Sequence, residues 1–472
     1  MKNTRYVTLI SNMFYFLLCT VTVKLIGYIL LPVFTANMTT AEYGVADVLM
    51  STVNLLYPIF ALGLSGAVMR YAMDEKSDIT LTFTSALKLL FISSFVAFLL
   101  VPFLQMFSSF STYAIFVPVM IFLNNALALV SSLCKGVNQT KIIAVQNIVY
   151  GAVLFISAIL LVKIFHLGVL GYLLSYCIAC AVSLVIFIAG IKVHRYLDFR
   201  KERKEYRGYY IKLLRYGVPL VPNSLAWWII QMSDRYMVAY WFGSAVNGLY
   251  AVAYKIPSII NAVVSIFMQA WQLTAISEYD KKDSIAFYNF IYRQYCVVCY
   301  IFSAVVVMFT RIFAKILFAN EFFDAWKYVP LLLVAATIGS QQEYMGSYYL
   351  ADNRTNRYFG TSVVGAVINI ILNLILIPKF SVWGATVATV ICYIIVYILR
   401  AADMKRNFGV EILAFKNFAA VVILFIQAIT FVLAEQYRYL ISLLCIVGMI
   451  VLFCQEIYQM LKIIRQKVLK RE

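Results

Sequence analysis

Residues 152–162 read AVLFISAILLV, a continuous apolar run without a charged residue. A transmembrane β-barrel strand would instead alternate apolar and polar residues over about ten positions. The apolar stretch extends to residues 142–163, which is long enough to cross about 30 Å of hydrocarbon as a helix. Hydrocarbon offers no hydrogen-bond partner to the backbone, so the segment must satisfy its own polar groups. The run therefore predicts a transmembrane helix.

Runs of this kind recur along the whole chain. The 472 residues are 63% hydrophobic and 13% charged, whereas a soluble domain carries about 25% charged residues. We therefore predict an all-α polytopic membrane protein with about fourteen transmembrane helices. The predicted helices are residues 6–34, 43–69, 80–107, 112–134, 142–163, 168–191, 212–241, 247–276, 284–310, 327–349, 357–377, 381–400, 412–433 and 438–461.

The net charge of +18 is distributed unevenly between the predicted loops. With the N-terminus inside, most of the 39 Lys and Arg residues fall on the cytoplasmic side, as the positive-inside rule requires. The basic residues left on the outer side are Lys163, Arg311, Lys315, Lys327, Lys379 and Arg438. The charge is thus a topology signal, which predicts cytoplasmic N- and C-termini and no nucleic-acid partner. The apolar stretch after Lys2 and Arg5 lacks a convincing cleavage site, so we expect a retained first helix.

The chain divides at a charged connection, residues 194–211. We expect this segment to be a solvated cytoplasmic linker. It separates an N-lobe, residues 1–193 with helices 1–6, from a C-lobe, residues 212–403 with helices 7–12. Residues 404–472 then hold helices 13 and 14 and a basic cytoplasmic tail.

Short matches in the same order indicate that the two lobes are parallel repeats. Residues 41–44 (AEYG) open helix 2, and residues 245–248 (AVNG) open helix 8, 204 positions later. Residues 138–140 (NQT) precede helix 5, and residues 353–355 (NRT) precede helix 11. Transporters commonly place the substrate path between such repeats.

Charged residues inside the predicted helices mark a candidate site, because a charge at the bilayer centre costs about 2.5–3.5 kcal/mol on insertion scales. Lys24, Arg235 and Lys255 lie roughly 10–15 Å below the outer helix ends, at about 1.5 Å of rise per residue. Asp234 belongs to the same layer, whose formal charge is +2. The layer predicts a cationic cavity lining between helices 1, 2, 7 and 8. The structural alternative is an Asp234–Lys255 ion pair, with Lys24 extending to the interface.

Other polar residues have both functional and structural interpretations. Asp47 is either a cavity acid or a helix-start charge, and an inner layer holds Lys88, Arg293 and Glu343, of which the last two could form an ion pair. Amides such as Asn54, Asn261 and Gln269 suit a sugar-lined path, although interhelical hydrogen bonding explains them equally. The CxxC pairs at Cys177/Cys180 and Cys296/Cys299 lie in apolar helices, so we interpret them as packing residues rather than a metal or redox site.

Two motifs carry a family resemblance. Residues 233–237 (SDRYM) with residues 248–256 (GLYAVAYKI), and residues 39–44 (TTAEYG) in the first half, resemble polysaccharide-biosynthesis flippases. These are O-antigen and capsule repeat-unit exporters of the multidrug/oligosaccharidyl-lipid/polysaccharide superfamily. The resemblance implies a V-shaped pair of six-helix lobes around a central cavity that opens alternately to each side.

The resemblance also implies a substrate, an oligosaccharide linked to undecaprenyl diphosphate, which moves from the cytoplasmic to the outer leaflet. By this analogy Lys24, Arg235 and Lys255 hold the diphosphate and Asp234 orients a basic neighbour, while Trp227, Trp228 and Trp271 contact sugar. We expect a monomer in the bacterial cell (inner) membrane, acting beside polysaccharide polymerase and assembly proteins, and no enzymatic activity.

Energy for export needs no bound cofactor. Moving about two negative charges outward through an inside-negative potential releases roughly 4–5 kcal/mol per 100 mV, and the sequence lacks the GxxxxGK[ST] nucleotide motif. Proton or sodium coupling stays open, with Asp47, Asp234, Lys88, Arg293 and Glu343 as candidates.

Three alternatives stay open at this point. A lipid II flippase has a similar lipid diphosphate substrate. A cation or drug antiporter of the same superfamily needs a net acidic cavity, which the +2 layer disfavours. A membrane glycosyltransferase or polymerase is disfavoured by short outer loops and the lack of a clustered acidic site.

Overall fold

A computed structural model describes residues 26–74, 77–106, 112–137, 139–200, 203–278, 284–351, 355–408 and 415–468. Every regular element in these ranges is a helix, which confirms the predicted all-α fold class. The α-helices are α1 (Ile26–Asn37), α2 (Thr40–Ala61), α3 (Leu64–Ala72), α4 (Ile79–Phe98), α5 (Val101–Gln105), α6 (Phe116–Gly136), α7 (Thr140–Ala158), α8 (Gly168–Gly190), α9 (Arg203–Gly217), α10 (Val221–Ala253), α11 (Pro257–Glu278), α12 (Ser284–Leu317), α13 (Val329–Ala351), α14 (Thr355–Phe408), α15 (Phe415–Leu433), α16 (Arg438–Leu452) and α17 (Cys454–Val468).

Length and apolar composition identify eight of the described helices as able to cross a membrane, or up to eleven if each of three bent pairs is one span. The protein is therefore a multi-pass membrane protein. The predicted number of fourteen is not established by this criterion. One reason is that α14 counts once, although Ser381 interrupts it with a φ of 52°.

The motif at residues 39–44 has a clear local role at the start of α2. Thr39 and Glu42 form a capping box, in which the Glu42 backbone N–H donates to Thr39 Oγ1 at 3.2 Å and the Thr39 N–H donates to Glu42 Oε2 at 2.8 Å. This exchange satisfies two backbone donors that the first turn of a helix leaves unpaired.

Two of the apolar segments that the sequence predicts as single helices are interrupted. Pro58 lies in the last turns of α2, which ends at a left-handed Leu62–Gly63 step before α3 begins. Pro257 starts α11 after a three-residue turn, and the two helix segments that flank this turn differ in direction by 45°. Because proline lacks the N–H that continues the helical ladder, Pro257 accounts for the second break. The first break lies beyond Pro58, at the left-handed Leu62–Gly63 step. Lys255 lies in the second break.

The chain forms two compact units. One is Thr22–Gly248, and the other contains Leu249–Glu472. In the first unit α6 packs against α2, α3, α4 and α8. A buried apolar cluster at one end includes Phe83, Leu133 and Phe187. This unit includes residues 212–241, the segment that the sequence predicts as helix 7. The predicted N-lobe instead ends at residue 193, and the predicted C-lobe begins at residue 212. The lobe boundaries stay a prediction.

Two repeat-related glycines meet inside the first unit. A Cβ on Gly44 would overlap the carbonyl oxygen of Ser244, and a Cβ on Gly248 would overlap that of Thr40. Thr40 and Ser244 are separated by the same 204 positions as the two glycines. The contact is therefore reciprocal, and it gives a structural reason for the repeated AxxG pattern. Small residues permit such close backbone approach between membrane helices.

Part of the predicted linker at residues 194–211 contacts α4. The Asp198 N–H donates to Thr84 Oγ1 on α4 at 3.0 Å, and the Tyr206 hydroxyl donates to the Asp198 carbonyl oxygen. Tyr206 belongs to α9, which packs against α3 and α4. Tyr206 is thus buried against α4, while Phe199 and Arg207 stay exposed.

The second unit has an aromatic core. Trp271 is fully buried, stacks on Tyr344 at 5.0 Å between ring centroids, and donates its indole N–H to Ser347 Oγ at 2.8 Å. The expectation that Trp271 contacts sugar was wrong, since both its ring faces and its N–H are used inside this core.

Candidate functional site

A buried ion pair joins α2 to α10 within the first unit. Arg235 Nη1 contacts Asp47 Oδ1, and each side chain is about 10% exposed. Both residues lie in apolar helices, where an uncompensated charge is expensive. The structure therefore brings together two residues that the sequence analysis proposed separately as candidate site residues.

Two further polar residues complete this ionic network. The Asn247 amide donates to the Gly44 carbonyl oxygen at 3.2 Å and lies 3.5 Å from Asp47 Oδ2. Asp234 is 1% exposed, and its Oδ1 accepts from the Arg235 N–H at 2.9 Å. Asp47 is thus held from two sides, by the guanidinium and by the amide.

Side-chain contacts below the ion pair fix the register of the two helices. The hydroxyls of Thr52 and Tyr236 lie 2.6 Å apart, and the Trp228 indole N–H donates to the Ser51 carbonyl oxygen at 3.0 Å. The Trp228 ring packs edge-on against Tyr236 at 5.5 Å. These contacts hold Arg235 at a fixed height beside Asp47.

The structure describes some residues of the predicted cationic layer. Lys24 lies outside the described residues, and Lys255 lies in the second unit, half-buried in the turn before Pro257. Adding Asp47 to the layer gives three basic and two acidic residues, so its formal charge falls from +2 to +1. A shared cavity for Lys24, Arg235 and Lys255 stays a prediction.

The predicted inner-layer residues belong to both units, Lys88 to the first and Arg293 and Glu343 to the second. The Lys88 ammonium lies 3.3 Å from the centre of the Tyr206 ring, a cation–π contact with the docked connection. Arg293 is exposed on α12, and within the described part of the chain no ion pair joins it to Glu343. The expected pairing was wrong because Arg293 faces outward while Tyr292 and Tyr295 face the core.

The three predicted amides have different surroundings. Asn54 opens onto a cavity inside the first unit. Asn261 is exposed on α11, and the side chain of Gln269 lies outside the described positions. In the second unit, an apolar cavity of about 520 Å³ is lined mainly by aliphatic and aromatic side chains of α13, α14 and α15, such as Ile394 and Phe418.

Two polar residues of note were missed by the sequence analysis. Asn247 was overlooked because only its position in the repeated AxxG pattern marked it. Arg400 was assigned to a helix end, but α14 continues to Phe408. Arg400 is therefore 1% exposed and donates to Thr361 Oγ1 at 3.0 Å, to the Gln342 carbonyl oxygen at 3.0 Å and to Ser362 Oγ at 2.9 Å.

Comparison with solved structures shows that the fold resembles that of transporters of the multidrug/oligosaccharidyl-lipid/polysaccharide (MOP) superfamily. The chain is similar to the lipid II flippase MurJ in an inward closed conformation, with a TM-score of 0.70 at 15% identity over 95% of this chain and 99% of that one. It is also similar to an inward-facing multidrug resistance MATE family transporter of the MOP superfamily, with a TM-score of 0.64 at 12% identity over 82% and 99% of the two chains. The fold is that of the MOP transporters.

Sequence comparison identifies the family. The polysaccharide biosynthesis protein family matches residues 9–272, and the chain belongs to this family. A probable low-salt glycan biosynthesis flippase of Haloferax volcanii is 26% identical over 195 residues, which are 40% of this chain and 41% of that protein. An uncharacterized membrane protein of Methanocaldococcus jannaschii is 22% identical over 424 residues, 84% of this chain and 98% of that protein.

Proposed function

We propose that the protein moves an oligosaccharide linked to undecaprenyl diphosphate from the cytoplasmic to the outer leaflet of a bacterial cell membrane. Family membership, a MOP transporter fold and an arginine buried among membrane-spanning helices support this proposal. The observation that carries it is the Asp47–Arg235 pair, because an anion-binding arginine needs a counter-charge while no substrate is present.

The geometry of the pair suggests how substrate binds. A diphosphate carries about two negative charges and accepts two parallel N–H donors from one guanidinium. It therefore competes with the single Asp47 carboxylate for Arg235. When Asp47 is displaced, the Asn247 amide still donates to it, which lowers the penalty of leaving this carboxylate without the guanidinium. On release of the diphosphate, the ion pair re-forms.

Substitution of Arg235 tests this role. In a host that lacks the gene, we expect Arg235→Ala to abolish surface polysaccharide and Arg235→Lys to restore only part of it, because lysine cannot donate in the bidentate geometry. Polymer is quantified by immunoblot, with the amount of membrane-inserted protein as the control. Normal polymer in both Arg235→Ala and Lys24→Ala would contradict the proposed site.

The acidic partners separate diphosphate binding from ion coupling. Asp47→Asn should retain or strengthen binding of undecaprenyl diphosphate to the purified protein, because the competing carboxylate is gone. Asp234→Asn should impair transport less than Arg235→Ala. The reverse ranking, with diphosphate binding intact, would instead support proton coupling through the carboxylates.

Transport assays with lipid II beside an undecaprenyl-diphosphate oligosaccharide distinguish the two lipid-linked substrates.

A further inference from the structure

A cavity of about 250 Å³ lies inside the first unit, among α2, α6, α7 and α8. Its polar wall consists of Asn54, Tyr57, Asn124, Tyr150 and Tyr176, and methionine, valine and cysteine side chains form the rest. All of these described lining residues belong to Thr22–Gly248, the first unit.

The chemistry of this wall is polar but uncharged. No Lys, Arg, His, Asp or Glu is found among the described residues that line it, so it is suited neither to a phosphate nor to a metal ion. Carboxamides donate and accept hydrogen bonds, and phenols offer a hydroxyl and a flat apolar face. A neutral pyranose presents the matching groups, hydroxyls around its rim and C–H bonds on its faces.

Interhelical hydrogen bonding explains only part of the wall. Cys180 Sγ donates weakly to Asn124 Oδ1 at 3.8 Å. Across the described ranges, neither the Asn54 amide nor the Tyr57 hydroxyl has a protein hydrogen-bond partner. Asn54 is exposed, and Tyr57 is half-buried. Both groups are therefore available to a polar ligand.

The cavity lies beside the ion pair along α2. Asp47, Asn54 and Tyr57 are spaced by seven and three residues, so they share one face of the helix. Seven residues of α-helix rise about 10 Å. A short saccharide attached to a diphosphate at Arg235 can span this distance along the helix.

We propose that this cavity is a saccharide subsite, which binds a neutral sugar ring of the substrate while Arg235 binds the diphosphate. This inference rests on the proposed function and adds the substrate class that the subsite selects. Acidic sugars are disfavoured, because the described wall offers no cation to a carboxylate.

Binding to the purified full chain in lipid nanodiscs tests the subsite. The probes are undecaprenyl diphosphate and the same lipid diphosphate carrying one glucose, galactose, N-acetylglucosamine or N-acetylgalactosamine. We expect at least one sugar-bearing lipid to bind about tenfold more tightly than the sugar-free lipid. Asn54→Leu and Tyr57→Phe should each reduce this preference by about two- to tenfold, the range of one lost hydrogen bond, and leave the sugar-free affinity unchanged.

A matched control and three outcomes make the test decisive. Asn147→Leu removes an amide from α7 that does not line the cavity, so it should leave the preference intact. No binding of the sugar-free lipid to any variant would overturn the proposed function itself. Binding without a preference for any sugar, or a preference that survives in both cavity variants, would overturn the subsite alone. Tighter sugar-free binding by Asn54→Leu would indicate an apolar occupant and also overturn the subsite.

Discussion

Two buried guanidinium groups show how their surroundings separate function from structure. Arg235 faces a carboxylate, Asp47, which under the proposed function a more highly charged anion displaces. Arg400 instead donates to a backbone carbonyl and two hydroxyls, and its guanidinium lies 4.6 Å from the centre of the Tyr358 ring. These acceptors belong to the helices themselves, so Arg400 fastens α14 to α13 rather than binding a ligand.

The three hydrogen bonds of Arg400 predict that its replacement lowers the stability of the protein. Arg400→Met leaves the Gln342 carbonyl oxygen and two hydroxyls without their donor and should cost at least about 2 kcal/mol, since even one hydrogen bond to a charged group is worth about 1.5–3 kcal/mol. The thermal midpoint of the purified protein should fall by several degrees. Arg406→Met, at an exposed position of the same helix, should leave it unchanged. Equal thermal midpoints for the two variants would contradict a structural role of Arg400.

At the scale of the element, close backbone contacts lie at both ends of α2. One is the reciprocal contact of Gly44 in α2 with Gly248 in α10, and the other, just beyond the end of α2, brings Gly63 against Gly217 at the end of α9, where either added Cβ would overlap a carbonyl oxygen. The ion pair and the Thr52–Tyr236 contact lie between these two points. The glycines thus set the helix separation that allows Arg235 to reach Asp47.

Alanine substitution tests this dependence. Gly44→Ala and Gly248→Ala force the helices apart, so each should reduce both thermal stability and surface polysaccharide strongly. Gly360→Ala, where an added Cβ meets no atom within 4 Å, should be neutral or stabilising by about 0.5–1 kcal/mol. If Gly44→Ala behaved like Gly360→Ala, the close approach would not be required for function.

At the scale of the whole molecule, the charged connection is an integral part of the first unit. Its backbone and aromatic side chains bond to α4 through Thr84 and Lys88. The positive-inside rule predicts that the same segment lies in the cytoplasm. The docked aromatic residues and the exposed basic residues therefore have separate roles, in packing and in orientation.

Cysteine labelling checks this orientation. Single cysteines at the exposed positions 207 and 406 should react with a membrane-impermeant maleimide only after the cells are lysed, whereas a cysteine at position 379 should react in intact cells. Labelling in intact cells at position 207 or 406 would reverse the predicted topology.

Several features of the site followed from local sequence. Arg235, Asp234 and Asp47 stood out because ionisable residues are rare in apolar helices, and the break before Pro257 followed from the missing proline N–H. The Asp47–Arg235 pairing did not follow, because 188 residues separate the two partners. The error at Arg293 has the same origin, since sequence spacing does not say which face of a helix meets the core.

The sequence by itself determined that the chain is an all-helical membrane protein, because the hydrocarbon solvent dictates this from composition and run length alone. It also indicated the repeat of the two halves, since the AxxG pattern occurs at residues 41–44 and again at residues 245–248. Only the tertiary structure decided that the two copies of this pattern meet in one unit, that the connection docks onto α4, and that Asp47 neutralises Arg235. Each of these depends on which helix faces lie within a few ångströms of each other, and that is fixed by the packing of distant segments.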